Sequence, residues 1–460
     1  PDYTRPLVPE PGAFRGPAPA AESIANAPWW ELFEDPVLQD LIDAALQNNR
    51  DLRASVARID EAAAVLGIVR ADLHPRVFYG GDAAVSGTTA EDGDVSGDGT
   101  LLVSAGWQID LWGRFRRANE AALQELQATE ESYRGVTLSL VAAVASSYLL
   151  LRDLDARHQV SEQTVEIRQN NLDIIQARFD GGSVSEIDLN QAQIQLAEAE
   201  ASVQVFKRLR RQTENALSLL LGEPPGTIAR GRPLHEQSMP PEVPAAGLPS
   251  ELLDRRPDIL VAERRLQAQT ARIGVAEALK YPQFDLTASL GASFADVSAG
   301  FVNLGAQLLG PLFNSGENQR RVDAEVARTT QLLNRYELAV LTAYREVEDA
   351  LVAVRTYRAE LAARERQVAA SRSAAELSWI RYEDGVTSYL EVLETQRALF
   401  ASQLATSETR QLALASLVDL YAALGGGGQV REERASPEWR WRLSERPGSG
   451  CRRGGGWGAG

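Results

Sequence analysis

The chain of 460 residues has little of what most catalytic chemistry uses. It carries one cysteine, Cys451, and three histidines, His74, His158 and His235, far apart in sequence and in no ligand spacing. A disulfide framework and a cysteine-held metal cluster are therefore excluded, and a His-Glu-x-x-His zinc site is missing. Basic residues are outnumbered: 47 Lys and Arg against 63 Asp and Glu give a net charge of −16. Nothing offsets repulsion from phosphate, so a general nucleic-acid binder is disfavoured, whereas a surface or channel that meets cations suits this balance. Long apolar runs are scarce as well. The most apolar stretch, 136–151, is interrupted by Thr137, Ser139, Ser146 and Ser147. It falls short of the roughly 18 residues of a spanning helix and reads as the buried part of a longer amphipathic one. The opening Pro1-Asp2-Tyr3 has neither the basic nor the apolar character of a leader. No Gly-x-Gly-x-x-Gly follows a strand and no P-loop lysine pattern occurs. The stretch from Asp92 to Asp98 resembles the start of a calcium loop but has Val103 where a glutamate is required, so it is expected to be an exposed loop between strands. No cofactor and no metal are expected. A β-barrel leaves a far weaker trace than a spanning helix, so a membrane protein stays open.

What the chain does have is a copy of itself. Arg178-Phe179-Asp180-Gly181-Gly182 leads into Ser185, Asp188 and Gln193; Arg381-Tyr382-Glu383-Asp384-Gly385 leads into Ser388, Glu391 and Gln396, 203 residues later. Leu111-Trp112-Gly113 and Asn314-Ser315-Gly316 are again 203 apart, and His74-Pro75 pairs with Tyr281-Pro282. The expected plan is an N-terminal extension over 1–35, a first repeat over 36–221, a connector over 222–248, a second repeat over 249–424 and a disordered tail over 425–460. Each repeat reads as helix, two strands, very long helix, helix. The first helix is expected to run unbroken over 36–74, opened by Asp35-Pro36. Residues 113–180 hold no proline and little glycine, which implies a rod of about 100 Å. Leu189, Ala192, Leu196, Ala199, Val203 and Phe206 follow a 3-4-3-4-3 spacing, a coiled-coil seam. Leu390, Leu393, Phe400, Leu404, Leu414 and Val418 are assigned to the same heptad frame in the second repeat.

Strands are expected at about 76–87, 100–111, 284–294 and 301–310. Phe284, Leu286, Ala288, Leu290, Ala292 and Phe294 alternate with small or polar residues, as do Leu101, Val103, Ala105, Trp107, Ile109 and Leu111. Period 2 with one polar face marks a sheet between apolar material and water. The segment lengths suit tilted spanning strands, and Tyr79, Trp107, Phe284, Phe294 and Phe301 near the ends suit interfacial girdles. Four strands cannot close a barrel, and lipid does not tolerate open edges, so the strands must be pooled in an oligomer; three copies give twelve. The fold class is thus an α+β membrane tube, a β-barrel continuous with a long α-helical barrel built from six helices per subunit.

At the far helix tips, Glu391 and Glu394 stand three residues apart on one helix, and three copies would form rings of carboxylates. Asp188 matches Glu391, while Gln191 stands opposite Glu394. Ordinary solvated charge explains these residues equally well from the sequence alone. The turns at Gly181, Gly182 and Val184 and at Asp384, Gly385 and Val386 could dock a partner. A coiled-coil envelope scaffold without a pore remains an alternative. An enzyme built on Glu346, Glu348 and Asp349 fits less well than a solvated helix face.

The chain resembles the TolC/OprM-like outer-membrane factors. The matching residues are Trp29-Trp30-x-x-Phe33-x-Asp35-Pro36, the His74-Pro75 and Tyr281-Pro282 junctions, Asp110-Leu111-Trp112-Gly113-Arg114, Leu252-Leu253-x-Arg255-Arg256-Pro257-Asp258 and Arg381-Tyr382-x-x-Gly385, across about 1–425. The resemblance implies a homotrimer with a 12-stranded barrel in the outer membrane of a Gram-negative bacterium and a periplasmic α-barrel. Its partners would be a periplasmic adaptor and an inner-membrane pump, in drug efflux or, alternatively, type I protein secretion. It also implies that Leu390 and Glu394 narrow the entrance. Pro1-Asp2-Tyr3-Thr4-Arg5-Pro6 matches the segment that follows an acylated cysteine in the lipoprotein branch, so an anchor is expected upstream.

Overall fold

The computed structural model describes residues 2–9, 11, 12, 14, 33–87, 95–239, 249–294 and 298–426. The expectations for Trp29-Trp30 and for the tail beyond 426 lie outside these residues. Among the described residues, eight α-helices and four strands follow in the order α1 (Pro36–Asn48), α2 (Arg50–Ala71), β1 (Arg76–Gly87), β2 (Val95–Ile109), α3 (Arg114–Asp180), α4 (Glu186–Leu220), α5 (Leu252–Arg255), α6 (Pro257–Ala278), β3 (Gln283–Phe294), β4 (Ser298–Leu309), α7 (Glu317–Glu383) and α8 (Tyr389–Ala423).

The duplication is metrical. The helices α3 and α7 have 67 residues each and start 203 apart, and α4 and α8 have 35 each at the same offset. Sixty-seven residues at 1.5 Å make a rod of about 100 Å. Both rods are opened by a glycine in the left-handed region, Gly113 at φ 78° and Gly316 at φ 80°, where a side chain would be strained. The first helix is not continuous. Asn49 leaves helical geometry at ψ 131°, accepts from the Leu52 amide at 3.0 Å and donates to the Leu220 carbonyl at 2.8 Å. It ends α1 and caps α2, so an asparagine amid helix formers marked the break.

Two apolar clusters lie about the middle of the rods. One joins Leu38 and Ile42 of α1 to Leu140, Val144, Tyr148 and Leu149 of α3 and to Leu217 and Val418. The other joins Ile259 and Leu266 of α6 to Tyr336, Val340 and Val347 of α7 and to Leu417 and Leu420 of α8. One 18-residue stretch of α3 is, by length and composition, apolar enough to cross a membrane, contrary to the count of interrupting serines and threonines. In α3, Leu140, Val141, Val144, Tyr148, Leu149 and Leu151 are buried in the first cluster.

The strands form one antiparallel sheet in the order β1-β2-β3-β4, with both outer edges unpaired among the described residues. The register aligns Tyr79, Val103, Leu290 and Val302 in one row and Val77, Ala105, Ala288 and Leu304 in the next. Since successive side chains alternate, every residue of the apolar set comes to one face. Among the described residues nothing covers that face: Tyr79 is 92% exposed and Leu304 82%. Four expectations change here. β2 begins at Val95, so Asp98 pairs with Ala84 inside the strand instead of lying in a loop, and Leu111 falls beyond the strand. Phe301 pairs with Gly291, one step out of phase with the apolar set, and lies on the polar face. Tyr79 sits mid-strand, so only Trp107, Phe284 and Phe294 keep girdle positions.

Candidate gate at the helix tips

The far ends of the rods turn by the same device in both halves. The Ser183 amide donates to the Arg178 carbonyl at 2.9 Å and the Gly182 amide to Phe179 at 2.8 Å; the Val386 amide donates to Arg381 at 2.8 Å and Gly385 to Tyr382 at 3.1 Å. Gly182 at φ 72° and Gly385 at φ 73° take the left-handed position that this double hydrogen bond needs. Gly181 and Asp384 precede them as ordinary right-handed residues.

Behind the turns, the two hairpins share a small core of Ile175, Leu189, Ala192, Tyr382, Tyr389, Val392 and Leu393, with Val184 packed on its rim. Val184 is thus half-buried, where the sequence suggested an exposed contact, while Val386 is exposed. Burial, with Tyr382 and Asp188 beside it, pushes the Tyr389 phenol up to about 12. Further up, the Arg168 guanidinium of α3 donates to the Gln195 carbonyl of α4 and lies 5.1 Å from the centre of the Phe400 ring of α8. Asn171 donates to Gln396 at 3.2 Å, and Arg178 lies over the Tyr382 ring at 4.9 Å. Burial lowers the Arg168 pKa against the pull of Glu198. These ties hold one hairpin against the other.

The four acid and apolar candidates separate. Asp188 caps α4: its carboxylate accepts from the Ser185 hydroxyl at 2.9 Å and the Ser185 amide at 3.2 Å, while its own amide donates to the Ser185 oxygen at 3.3 Å. Glu391 is drawn back by the Thr387 hydroxyl and by Arg381 at 3.8 Å. Only Leu390 and Glu394, one turn apart on α8, stand free at the surface, Leu390 at 52% exposure. Leu390 therefore leaves the seam to which the heptad frame assigned it; Tyr389, Val392 and Leu393 occupy the interface. Ile187 was missed, although it stands 203 residues before Leu390 and is 68% exposed at the start of α4. The Ser185-x-x-Asp188 pattern of a capping box was likewise readable. Arg168 had no sequence signal, because its partners come from two other helices.

A two-edged sheet with one bare apolar face, carried on a duplicated pair of helical rods, is matched by known proteins. The profile of the outer membrane efflux proteins matches residues 41–223 and 248–426. The chain belongs to the outer membrane efflux protein family. Among its relatives, the toluene efflux pump outer membrane protein TtgI of Pseudomonas putida is 36% identical over 458 residues, 94% of this chain and 96% of that protein. The cation efflux system protein CusC of Escherichia coli K12 is 32% identical over 437 residues, 93% and 95% of the two chains. Among solved structures, the open state of the Neisseria gonorrhoeae MtrE outer membrane channel superposes with a TM-score of 0.85 at 29% identity, over 93% of this chain and 98% of that one. For an outer membrane efflux protein the bare apolar face is the lipid face, and the rods extend from it into the periplasm.

Proposed function

We propose that this outer membrane efflux protein is the exit duct of a tripartite efflux system: a passive channel, not an enzyme. It works as a homotrimer whose twelve strands close one barrel, and it receives cargo from an inner-membrane pump through a periplasmic adaptor. The observation that carries this reading is the sheet, whose exposed apolar face and two unpaired edges can be satisfied in lipid only by closure with further copies. Residues 36–221 and 249–424 act as two repeats joined by 222–248. Efflux is preferred to protein secretion because relatives are named for toluene and cation efflux.

The gate lies at the tips, where Leu390 and Glu394 would converge from three copies and Ile187 adds a second apolar position. A ring of carboxylates favours cations, and a ring of leucines narrows the path. The turns at Gly181, Gly182 and Val184 and at Asp384, Gly385 and Val386 form the adaptor-facing ends. Glu346, one of the acids considered for catalysis, is held by Arg256 at 2.7 Å, a structural use. The test is single-channel recording of the detergent-purified chain in planar bilayers. Wild type should pass a small cation-selective current, and Leu390→Ala with Glu394→Ala should raise it severalfold. No current in either sinks the duct; equal currents and equal selectivity remove these two residues from the gate.

A further inference from the structure

The polar face of the sheet is not uniformly polar. Its rows read Ser104, Ser289 and Asn303, with Phe78 at the β1 end, then Gly80, Leu102, Gly291 and Phe301, then Asp82, Thr100, Ser293 and Ala299. Phe78, Leu102 and Phe301 thus occupy two adjacent rows, next to the row that carries Asp82. The Phe301 ring lies across the sheet over Gly291. A Cβ at Gly291 would come within 2.7 Å of the ring's Cζ and 3.1 Å of the Leu102 Cβ. The glycine therefore lets Phe301 lie flat and meet Leu102, with the ring's other side towards the space that the face encloses. Phe78 covers no glycine and is 58% exposed.

Charge on this face is mostly of one sign. Asp82, Asp98 and Asp285 lie on it, and the one strand cation there, Arg76, is paired with Asp72. Because β1 and β4 are the free edges, ring closure sets the Phe78 strand of one copy against the Phe301 strand of the next.

We propose that Phe78, Leu102 and Phe301 form an apolar, aromatic band around the barrel lumen, nine side chains in a trimer, which is a contact site for organic cations with an aromatic body. The inference rests on the duct reading above and adds a cargo class to it. Aromatic faces attract a cation most when its charge is delocalised and its body is apolar, and flanking carboxylates raise its local concentration. A small hydrated cation gains little from the band and passes.

The probe is tetraphenylphosphonium, with tetraethylammonium as the non-aromatic cation, added to the side of the barrel loops in planar bilayers holding the full chain. Tetraphenylphosphonium should halve the current at a concentration about tenfold below tetraethylammonium. Phe78→Ala with Phe301→Leu, which keeps bulk over Gly291, should raise that concentration about tenfold for tetraphenylphosphonium and leave both the tetraethylammonium block and the potassium conductance unchanged. An unchanged block in a variant that still conducts overturns the band alone. An equal shift for both cations also overturns it, since charge without aromatic contact would suffice. Absence of current in wild type would instead remove the duct itself.

Discussion

Ser185 and Asp188 hold each other reciprocally at the first turn of α4, hydroxyl to carboxylate at 2.9 Å and amide to hydroxyl at 3.3 Å. At the equivalent place in the second half, Ser388 makes no side-chain cap, and Glu391 turns to Thr387 and Arg381 instead. The first acid therefore secures a turn, and Glu394 of α8 is the acid that the proposed gate keeps. Asp188→Ala should cost about 1 kcal/mol at that helix start. Amide hydrogen exchange across 183–190 should quicken while single-channel conductance stays at the wild-type value. A conductance rise like that of the Leu390→Ala/Glu394→Ala variant would return Asp188 to the gate.

Leu304 and Asn303 are neighbours on β4 that point to opposite faces. Leu304→Arg places a charge in lipid at mid-sheet and should cost about 2–4 kcal/mol of barrel stability. Asn303→Arg puts the same charge into the lumen, so it should assemble normally and shift selectivity towards anions. Trimer yield from lipid vesicles and reversal potential in a salt gradient measure the two effects. Interchanged outcomes would mean that the faces are reversed.

Tyr148 ties the start of α1 to the connector. Its hydroxyl donates to the buried Asp35 carboxylate at 2.8 Å and accepts from the Gly231 amide at 2.9 Å, and Gln237 donates to the same carboxylate oxygen at 2.7 Å. Burial raises the phenol's pKa well above its ordinary value. Tyr148→Phe leaves an amide and a carboxylate short of one partner and should destabilise the fold by about 1–3 kcal/mol, read as a lower unfolding midpoint in detergent. Gly231→Ala should cost at least as much, because its Cβ would lie 2.0 Å from an Asp35 oxygen. An unchanged midpoint in both would show that the knot is dispensable.

Asp153 of α3 is fully buried and accepts from the Ser407 hydroxyl of α8 at 2.6 Å, with Arg157 beside it. Burial raises its pKa, opposed by Arg157 and Ser407. A carboxyl whose folded pKa is raised gives its full stabilisation below the unfolded pKa and loses it as pH rises through the folded one. Relative to Asp153→Asn, the wild-type protein should therefore gain thermal stability as pH falls from neutral through the upper carboxylate range. A difference in midpoint that is flat with pH, or grows in the other direction, would refute this.

The sequence alone determined everything that repeats at short range. The 203-residue offset, the proline-free rods, the glycines at 113, 182, 316 and 385 and the period-2 strands all act through local backbone preference, which adjacent residues set. Breaks carried by a single residue were harder: Asn49 divides the first helix because its side chain reaches Leu220, 171 positions away. Faces and partners were decided only by the tertiary structure. Phe301 counted as an outward aromatic until the pairing with Gly291 placed it on the polar side, since a one-residue change of phase reverses a strand's faces. Asp188 and Glu391 match along the chain, yet one is bound to Ser185 while the other turns to Thr387 and Arg381, because Ser388 makes no side-chain cap at the equivalent helix start.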